Sequence, residues 1–168
     1  AAHRVVKRAG ASKPTSLVLY QGDEAQWYGN IADITMIDRY PVPWLPLANF
    51  SQHIHKTRLA TDRDRPVIAV IQSFDWTGHQ SVLPGEENLR PPTELELRSM
   101  TYSALARGAN GIFYFSYADM RLKERKYPEL WEALKRVVKE VRRRETLFAA
   151  EHVWWPKAHH FENQDTRF

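Results

Sequence analysis

The chain has 168 residues, a length that predicts a single domain. Its 43% hydrophobic and 12% aromatic content is enough to bury a core and excludes an intrinsically disordered chain. No apolar run approaches the roughly 18 residues that span a bilayer, so we predict no membrane association. The absence of cysteine excludes disulfides and thiolate metal sites. Because the chain starts at Ala1 without a Met, the lack of a secretory signal leaves its compartment unknown.

The net charge of +4 does not predict a nucleic-acid partner. Much of the basic excess lies in Lys135–Arg144, within a predicted helix whose opposite face is apolar. That pattern is typical of a solvated helix face. No nucleic-acid-binding motif accompanies it, so we expect no nucleic acid to bind.

The first quarter of the chain predicts a short helix and two strands. Ala1–Arg8 is helix-compatible and precedes Gly10, a favoured helix stop. The apolar run Leu17–Tyr20 predicts a buried strand, and Glu24–Ile31 predicts a short helical or irregular connection. Ile34–Asp38 predicts the second strand.

The middle of the chain predicts a loop, a helix and the most apolar strand. Three prolines exclude regular structure in Arg39–Pro46. Leu47–Thr61 carries apolar residues on one helical face, and Val67–Gln72 is a continuous apolar run. Continuous apolar strands favour a sheet that is covered on both faces.

The last third predicts a long loop, two helices and a strand. Asp75–Pro92 is long and polar, and loops of that length in compact domains are often functional. Thr93 and Glu96 form a capping-box pattern before a helix that stops at Gly108. Ile112–Phe115 predicts the fourth strand. A final helix starts near Pro128, a favoured first-turn residue.

The alternation of strands and helices predicts an α/β fold with a parallel sheet and right-handed crossovers. We expect a parallel-stranded half (β/α)₈ (TIM) barrel of four βα units over residues 1–150. The segment 151–168 is a C-terminal tail that no pattern places. A complete α/β sandwich with an open four-stranded sheet, unrelated to barrels, remains an alternative.

Polar and aromatic residues follow the carboxyl ends of the predicted strands, where (β/α)₈ barrels build their sites. The carboxylates there are Asp38, Asp75 and Asp119, with Glu24 in the first loop. Paired carboxylates and aromatic walls are typical of sugar chemistry. The aromatic residues of this rim are Tyr20, Tyr40, Phe74, Trp76, Tyr114 and Tyr117.

Each of these carboxylates also has a structural interpretation. Asp38 is followed by Arg39 and could form an ion pair with it. Asp75 could start a turn, Asp119 could cap one, and Glu24 fits the first turn of a helix. A further candidate, the ring of Tyr114, could point into the barrel core because alternate strand residues do so.

No pattern predicts a metal or a cofactor. His53 and His55 would lie on different faces of a helix and cannot form a metal pair. Gly108–Gly111 precedes a strand, which is the wrong end for phosphate binding at a helix N-terminus. There is no nucleophile elbow, Walker loop or dinucleotide fingerprint, so we expect neither metal nor cofactor.

Four stretches of the chain resemble a known family. Ala9–Thr15 stands where that family has D-P-T-R-P before its fifth strand, and Asp33–Tyr40 is similar to D-x-x-G-x-N-x-Y of the sixth. Arg65–Gln72 has the R/K-P opening of the seventh strand, and Gly108–Gly111 the G-A-x-G before the eighth. Together they resemble the second half of the catalytic barrel in the clan of retaining glycosidases that includes β-galactosidases.

The resemblance implies a carbohydrate-active parent enzyme. The chain departs from the family's pattern at the position of the catalytic nucleophile. Gln72 stands where the clan has its nucleophilic Glu, and an amide cannot form the glycosyl-enzyme ester. The clan's acid/base Glu follows a fourth strand that has no counterpart here. We therefore expect a glycoside hydrolase-like fragment that acts on or binds carbohydrate, weak or inactive alone unless it uses other carboxylates such as Asp38. The alternative is a non-catalytic glycan-binding or interaction module.

The candidate site follows from these interpretations. The candidate catalytic residues are Asp38, Gln72 and Asp75. The candidate substrate contacts are Tyr20, Tyr40, Trp76, Arg90, Tyr114, Tyr117 and Asp119. Half a barrel leaves two strand edges and one sheet face open, which favours pairing. We expect a homo-oligomer or a missing N-terminal half-barrel as the protein partner.

Overall fold

A computed structural model of the chain describes residues 2–10, 12–62, 64–79, 88–122 and 127–150. The predicted tail, 151–168, and the centre of the predicted long loop lie outside these ranges. The α-helices and strands run in the order α1 (Ala2–Arg8), β1 (Ser16–Leu19), α2 (Ala25–Tyr28), β2 (Ile34–Ile37), α3 (Leu47–Ala60), β3 (Val67–Gln72), α4 (Glu94–Ala106), β4 (Gly111–Phe115), α5 (Pro128–Arg142) and α6 (Glu145–Phe148). Two 3₁₀ turns, Gly22–Glu24 and Trp76–His79, and a π-helical turn, Ala118–Leu122, lie in the loops that follow β1, β3 and β4.

The four strands form one parallel sheet in the order β1-β2-β3-β4. Val18, Met36, Ile68 and Gly111 lie level with one another across it. This confirms the predicted α/β fold with parallel strands that are adjacent in sequence order. The arrangement, with helices between the strands, is compatible with half of a (β/α)₈ barrel.

The helices cover only one face of this sheet within the described residues. Phe50 and Ile54 of α3 are fully buried in the same core as Leu97 and Met100 of α4. Strand residues of the covered face complete this core, namely Leu19, Ile37, Ala69 and Ile71. Burial of this apolar surface is the main stabilising term of the domain.

The opposite face, called here the open face, is exposed on the edge strands β1 and β4, whereas Val70 and Gln72 of β3 on the same face are buried. Its side chains include Val18, Phe113 and Phe115, which are 49%, 56% and 43% exposed. The prediction that both faces are covered is therefore wrong for β1 and β4 in the described part of the chain, while β3 is buried on both faces apart from Ile68. The strands are apolar on both sides, but α3 and α4 pack on the same side of the sheet.

Local signals set the helix ends as the sequence predicts. The Thr93 side chain accepts a hydrogen bond from the Glu96 backbone N–H at 3.2 Å, and the Glu96 carboxylate accepts one from Thr93 N–H at 2.8 Å. Gly108 ends α4 with a φ of +93°, a conformation that favours glycine. The basic face of α5 faces the acidic residues of α4, since Arg136 contacts Glu94 at 2.5 Å.

Candidate binding site at the carboxyl end of the sheet

The loop after β1 is fixed against helix α3. Gly22 N–H donates to His53 Nδ1 at 2.9 Å, so this ring nitrogen is unprotonated. Burial, and then the charges of Arg39 and Lys56, lower the pKa of His53, in keeping with a neutral ring. A Cβ at Gly22 would lie 2.3 Å from the His53 carbonyl oxygen, so only glycine allows this approach. The contact places Glu24, two residues on, close to the end of β2.

Two carboxylates, Glu24 and Asp38, lie near enough at this end of the sheet for the charge of Glu24 to act on Asp38. Burial is the main cause that raises the pKa of Asp38, and the charge of Glu24 raises it further against an opposing backbone hydrogen bond. Burial and then the charge of Asp38 raise the pKa of Tyr40. Asp38 and Tyr40 therefore share one half-buried environment in which their charged forms are disfavoured.

Arg39 lies beside this pair but binds other partners. Its Nε donates to Asn49 Oδ1 at 2.9 Å, and its guanidinium carbon lies 4.3 Å from the centre of the Tyr20 ring. The second contact is a cation–π interaction on a half-exposed ring. Arg39 thus holds Tyr20 at the rim.

An aromatic cluster adjoins the carboxylates. The rings of Tyr40 and Phe115 are stacked with centroids 5.9 Å apart, and Phe74 meets Tyr40 edge-on at 5.1 Å. Trp76 lies 5.0 Å from Phe74 and 5.9 Å from Trp44. Trp44 and Phe115 are substantially exposed, so the cluster presents aromatic surface to solvent. Its members are Tyr40, Trp44, Phe74, Trp76 and Phe115.

Gln72 lies beneath the aromatic cluster and is fully buried. Its Oε1 accepts from Val42 N–H at 2.9 Å, while its Nε2 donates to Val42 O at 2.9 Å and Phe74 O at 3.3 Å. Trp76 Nε1 also donates to Val42 O at 2.9 Å. The Gln72 amide therefore donates both of its N–H groups to backbone carbonyl oxygens, and its bonds to Val42 fix the loop after β2.

Asp75, the third candidate catalytic residue, is also buried. Its carboxylate accepts hydrogen bonds from the hydroxyls of Thr77 and Tyr127. Tyr127 immediately precedes α5, so this contact joins the end of β3 to the last long helix. The placement favours a structural tie over a carboxylate presented to substrate.

Three other candidate substrate contacts lie apart from one another. Arg90 forms a two-point ion pair with Glu96 at the start of α4, with both distances 2.7 Å. Asp119 accepts from the Ser116 hydroxyl and so caps a local turn. Tyr117 packs edge-on to Trp131 at 5.6 Å. Each of these contacts lies outside the aromatic cluster.

Tyr114 lies on the covered face of the sheet. Its hydroxyl is 2.9 Å from Thr101 Oγ1 of α4, and burial raises its pKa. The alternation of side chains along β4 explains this placement, because Phe113 and Phe115 occupy the open face. Tyr114 therefore packs under the sheet, away from Tyr40 and Trp76.

Sequence patterns missed three members of the site region. Trp44 lies in the proline-rich loop, and Phe115 was treated only as a strand residue. The period-2 alternation of β4 is a signal that groups Phe115 with the open face. The pairing of Asp75 with Tyr127 has no local signal, because the two residues are far apart in the chain.

The part of the chain that the structure describes shows neither a metal site nor a membrane-spanning helix. Among the described residues, no three His, Asp or Glu side chains are grouped as metal ligands. No helix in the described ranges has the length and apolar character to cross a membrane. A shallow groove of about 450 Å³ lies on the outer side of α4 and α5, and its lining includes Arg98, Tyr102, Glu140 and Arg144.

Comparison with protein-family models, curated proteins and solved structures found no match to this chain.

Proposed function

We propose that this chain is a glycoside hydrolase-like half-barrel that binds carbohydrate at the carboxyl end of its sheet. The observation that carries the proposal is a partly exposed aromatic cluster beside the Glu24–Asp38 pair. Carboxyl ends of parallel strands are where α/β folds place their ligands. The resemblance of the strand-flanking motifs to the retaining glycosidase clan supports the same conclusion.

The chemistry of the site suits a sugar ring. One face of a pyranose is largely C–H surface, which packs on an aromatic ring such as that of Trp44 or Tyr40. Its hydroxyls donate to carboxylate oxygens, and Asp38 and Glu24 supply these acceptors at the edge of the cluster. Tyr20, held by Arg39, extends the aromatic surface at the rim.

We expect little or no hydrolysis by the chain alone. Gln72 stands at the nucleophile position of the clan, carries no carboxylate and is committed to Val42 and Phe74. Removal of one member of a glycosidase carboxylate pair removes either the acid or the nucleophile. General acid catalysis alone contributes about 10²–10⁴-fold, far below a complete enzyme.

A second candidate function is hydrolysis by the Glu24–Asp38 pair. The raised pKa of Asp38 favours it, because a general acid must keep its proton near the working pH. Glu24 would then be the second carboxylate of the pair. This candidate uses the same rim and differs from the first only in turnover.

The test is sugar binding by variants of the rim. Titration calorimetry with methyl glycosides, rather than aryl glycosides, keeps the aglycone from supplying the affinity. We expect Trp44→Ala to weaken binding about tenfold, the loss of one stacking contact. Trp27→Ala is the matched control, because Trp27 is exposed on α2 outside the cluster. No binding by the wild type, or equal losses in both variants, would remove the carbohydrate proposal.

The two candidate functions separate in an assay of aryl glycoside hydrolysis. Negligible turnover by the wild type, with intact binding of methyl glycosides, supports the binding function. Robust turnover that disappears in Asp38→Asn supports the second candidate instead. Asp23→Asn serves as control, since Asp23 lies in the same loop and pairs with Lys56 at 2.9 Å.

A further inference from the structure

The open face and the two edges of the sheet carry an inference that does not depend on sugar binding. In the described part of the chain, β1 and β4 each have one neighbouring strand, so each has an unpaired edge. The face between them exposes Val18, Phe113 and Phe115. No charged residue lies among its strand positions within β1–β4, which is the composition of an interface core.

We propose that two copies of the chain close into one eight-stranded parallel barrel, in which β4 of each copy pairs with β1 of the other. The two edges are complementary, because β1 and β4 run in the same direction at opposite edges of one parallel sheet. β4 of one copy can therefore continue the parallel pairing with β1 of the other. A two-fold axis along the barrel satisfies both edges at once and leaves none open. The open faces then become the barrel interior, where apolar side chains pack in layers.

The register of the new pairing follows from barrel geometry. A parallel eight-stranded barrel has a shear of 8, so each four-stranded half contributes a shift of four residues. Within one copy, Val18 lies level with Gly111. With the right-handed strand tilt of such barrels, the level row descends from β1 to β4, and Gly111 falls opposite Pro14 of the second copy. Phe113 then faces Ser16, and Phe115 faces Val18.

This register is consistent with the exposed side chains. All of the residues that it pairs within the strands lie on the open face and alternate correctly along β1 and β4. The two exposed phenyl rings of each copy would be buried in the closed barrel. A one-residue slip would instead turn Tyr114, which is bonded to Thr101, toward the interior.

The exposure of the open face is confined to its two edge strands. Val18 of β1 and Phe113 and Phe115 of β4 are exposed, whereas Val70 and Gln72 of β3, on the same face, are buried. The exposed side chains therefore lie where the paired edges of two copies would cover them.

The absence of cysteine makes disulfide trapping a clean test. In the double variant Ser16→Cys/Phe113→Cys, the two positions of one chain are separated by three strand spacings, about 14 Å, and by four residues along the strands, about 13 Å. They therefore lie about 19 Å apart and cannot bridge internally. We expect oxidation to give a covalent dimer that does not extend further. Val18→Cys/Phe113→Cys is the control, because its positions are offset by two residues, about 6.6 Å, and should bridge at least tenfold more slowly.

Three results would overturn the proposal. A monodisperse wild-type monomer at micromolar concentration in light scattering excludes the dimer. A ladder of covalent species beyond the dimer means open-ended pairing of edges. Equal bridging in the control means a different register. Val18→Cys/Phe115→Cys is a second register-matched pair, and its bridging decides the question if the first variant fails to fold.

Discussion

At the scale of single residues, the hydrogen bonds of Gln72 explain why an amide stands at the end of β3. A glutamine supplies the two N–H donors that the Val42 and Phe74 carbonyl oxygens accept. A carboxylate at the same position would keep the Val42 N–H donor, but it has no N–H to donate and would place a buried negative charge against those two carbonyl oxygens. The amide at the end of β3 thus fixes the loop that follows β2.

Gln72→Glu should therefore destabilise the chain. We expect the free energy of unfolding near neutral pH to fall by about 3 kcal/mol, because the variant buries an unpaired charge. The loss should shrink as pH falls, since a buried carboxyl binds a proton readily. Urea unfolding at two pH values measures this. Gln52→Glu, at an exposed position of α3, is the control, and an equal loss there would contradict the argument.

The raised pKa of Asp38 predicts a pH dependence of stability. Because the folded state holds this proton more tightly than the unfolded state, the favourable contribution is fully present below the ordinary aspartate pKa. It is lost as pH rises through the folded pKa. Asp38→Asn should remove this loss, so its free energy of unfolding should fall less than that of the wild type over the same interval. A parallel decline in both would contradict the assignment.

Glu24 is the neighbouring charge, a residue that the sequence places in the first loop near the rim and that also fits the first turn of a helix. Replacing it tests the geometry directly, because the Glu24 charge is a named cause of the Asp38 shift. Glu24→Gln should lower the pKa of Asp38 toward its ordinary value, measured by carboxyl-carbon NMR titration. Asp23→Asn should leave that pKa closer to the wild-type value. A reversed order of the two variants would place the wrong carboxylate beside Asp38.

At the scale of elements, α4 shows how local chemistry fixes a boundary. Thr93 and Glu96 exchange hydrogen bonds, and Arg90 contributes the largest effect that lowers the pKa of Glu96 to about 2. Thr93→Ala should lower the free energy of unfolding by about 1 kcal/mol, the usual value of a side-chain cap. Ser99→Ala, at an exposed position within α4, should cost nothing. Equal losses in thermal or urea unfolding would show that the cap is not the cause.

The difference between local and long-range interactions explains which parts of the structure the sequence predicts. Prolines in Arg39–Pro46, the Thr93–Glu96 box and Gly108 act within a few residues, so their helix and loop boundaries are readable from local patterns. Local patterns do not show which face of the sheet is covered by helices. Both faces of β3 are apolar, and only the crossovers decide on which side the helices pack. Likewise, the site candidates Arg90 and Asp119 bond to Glu96 and Ser116, outside the aromatic cluster.

At the scale of the whole molecule, the proposed barrel of two copies predicts that stability depends on association. If two copies form one barrel, unfolding releases two chains, and the midpoint temperature must rise with protein concentration. A tenfold increase is worth about 1.4 kcal/mol per dimer. With an unfolding entropy of about 2.1 cal/mol/K per residue over both chains, the midpoint should rise by about 2 °C.

A charged double variant tests whether the concentration dependence comes from the open face. Val18→Lys/Phe113→Lys adds charges to two positions that are already exposed in the single chain, so it should fold as a monomer. Its midpoint should not change with concentration, whereas that of the wild type should. Calorimetric scans over a hundredfold range resolve the expected difference of about 4 °C. A wild-type midpoint independent of concentration, together with a monomeric mass, would mean that one chain is stable with its open face in water.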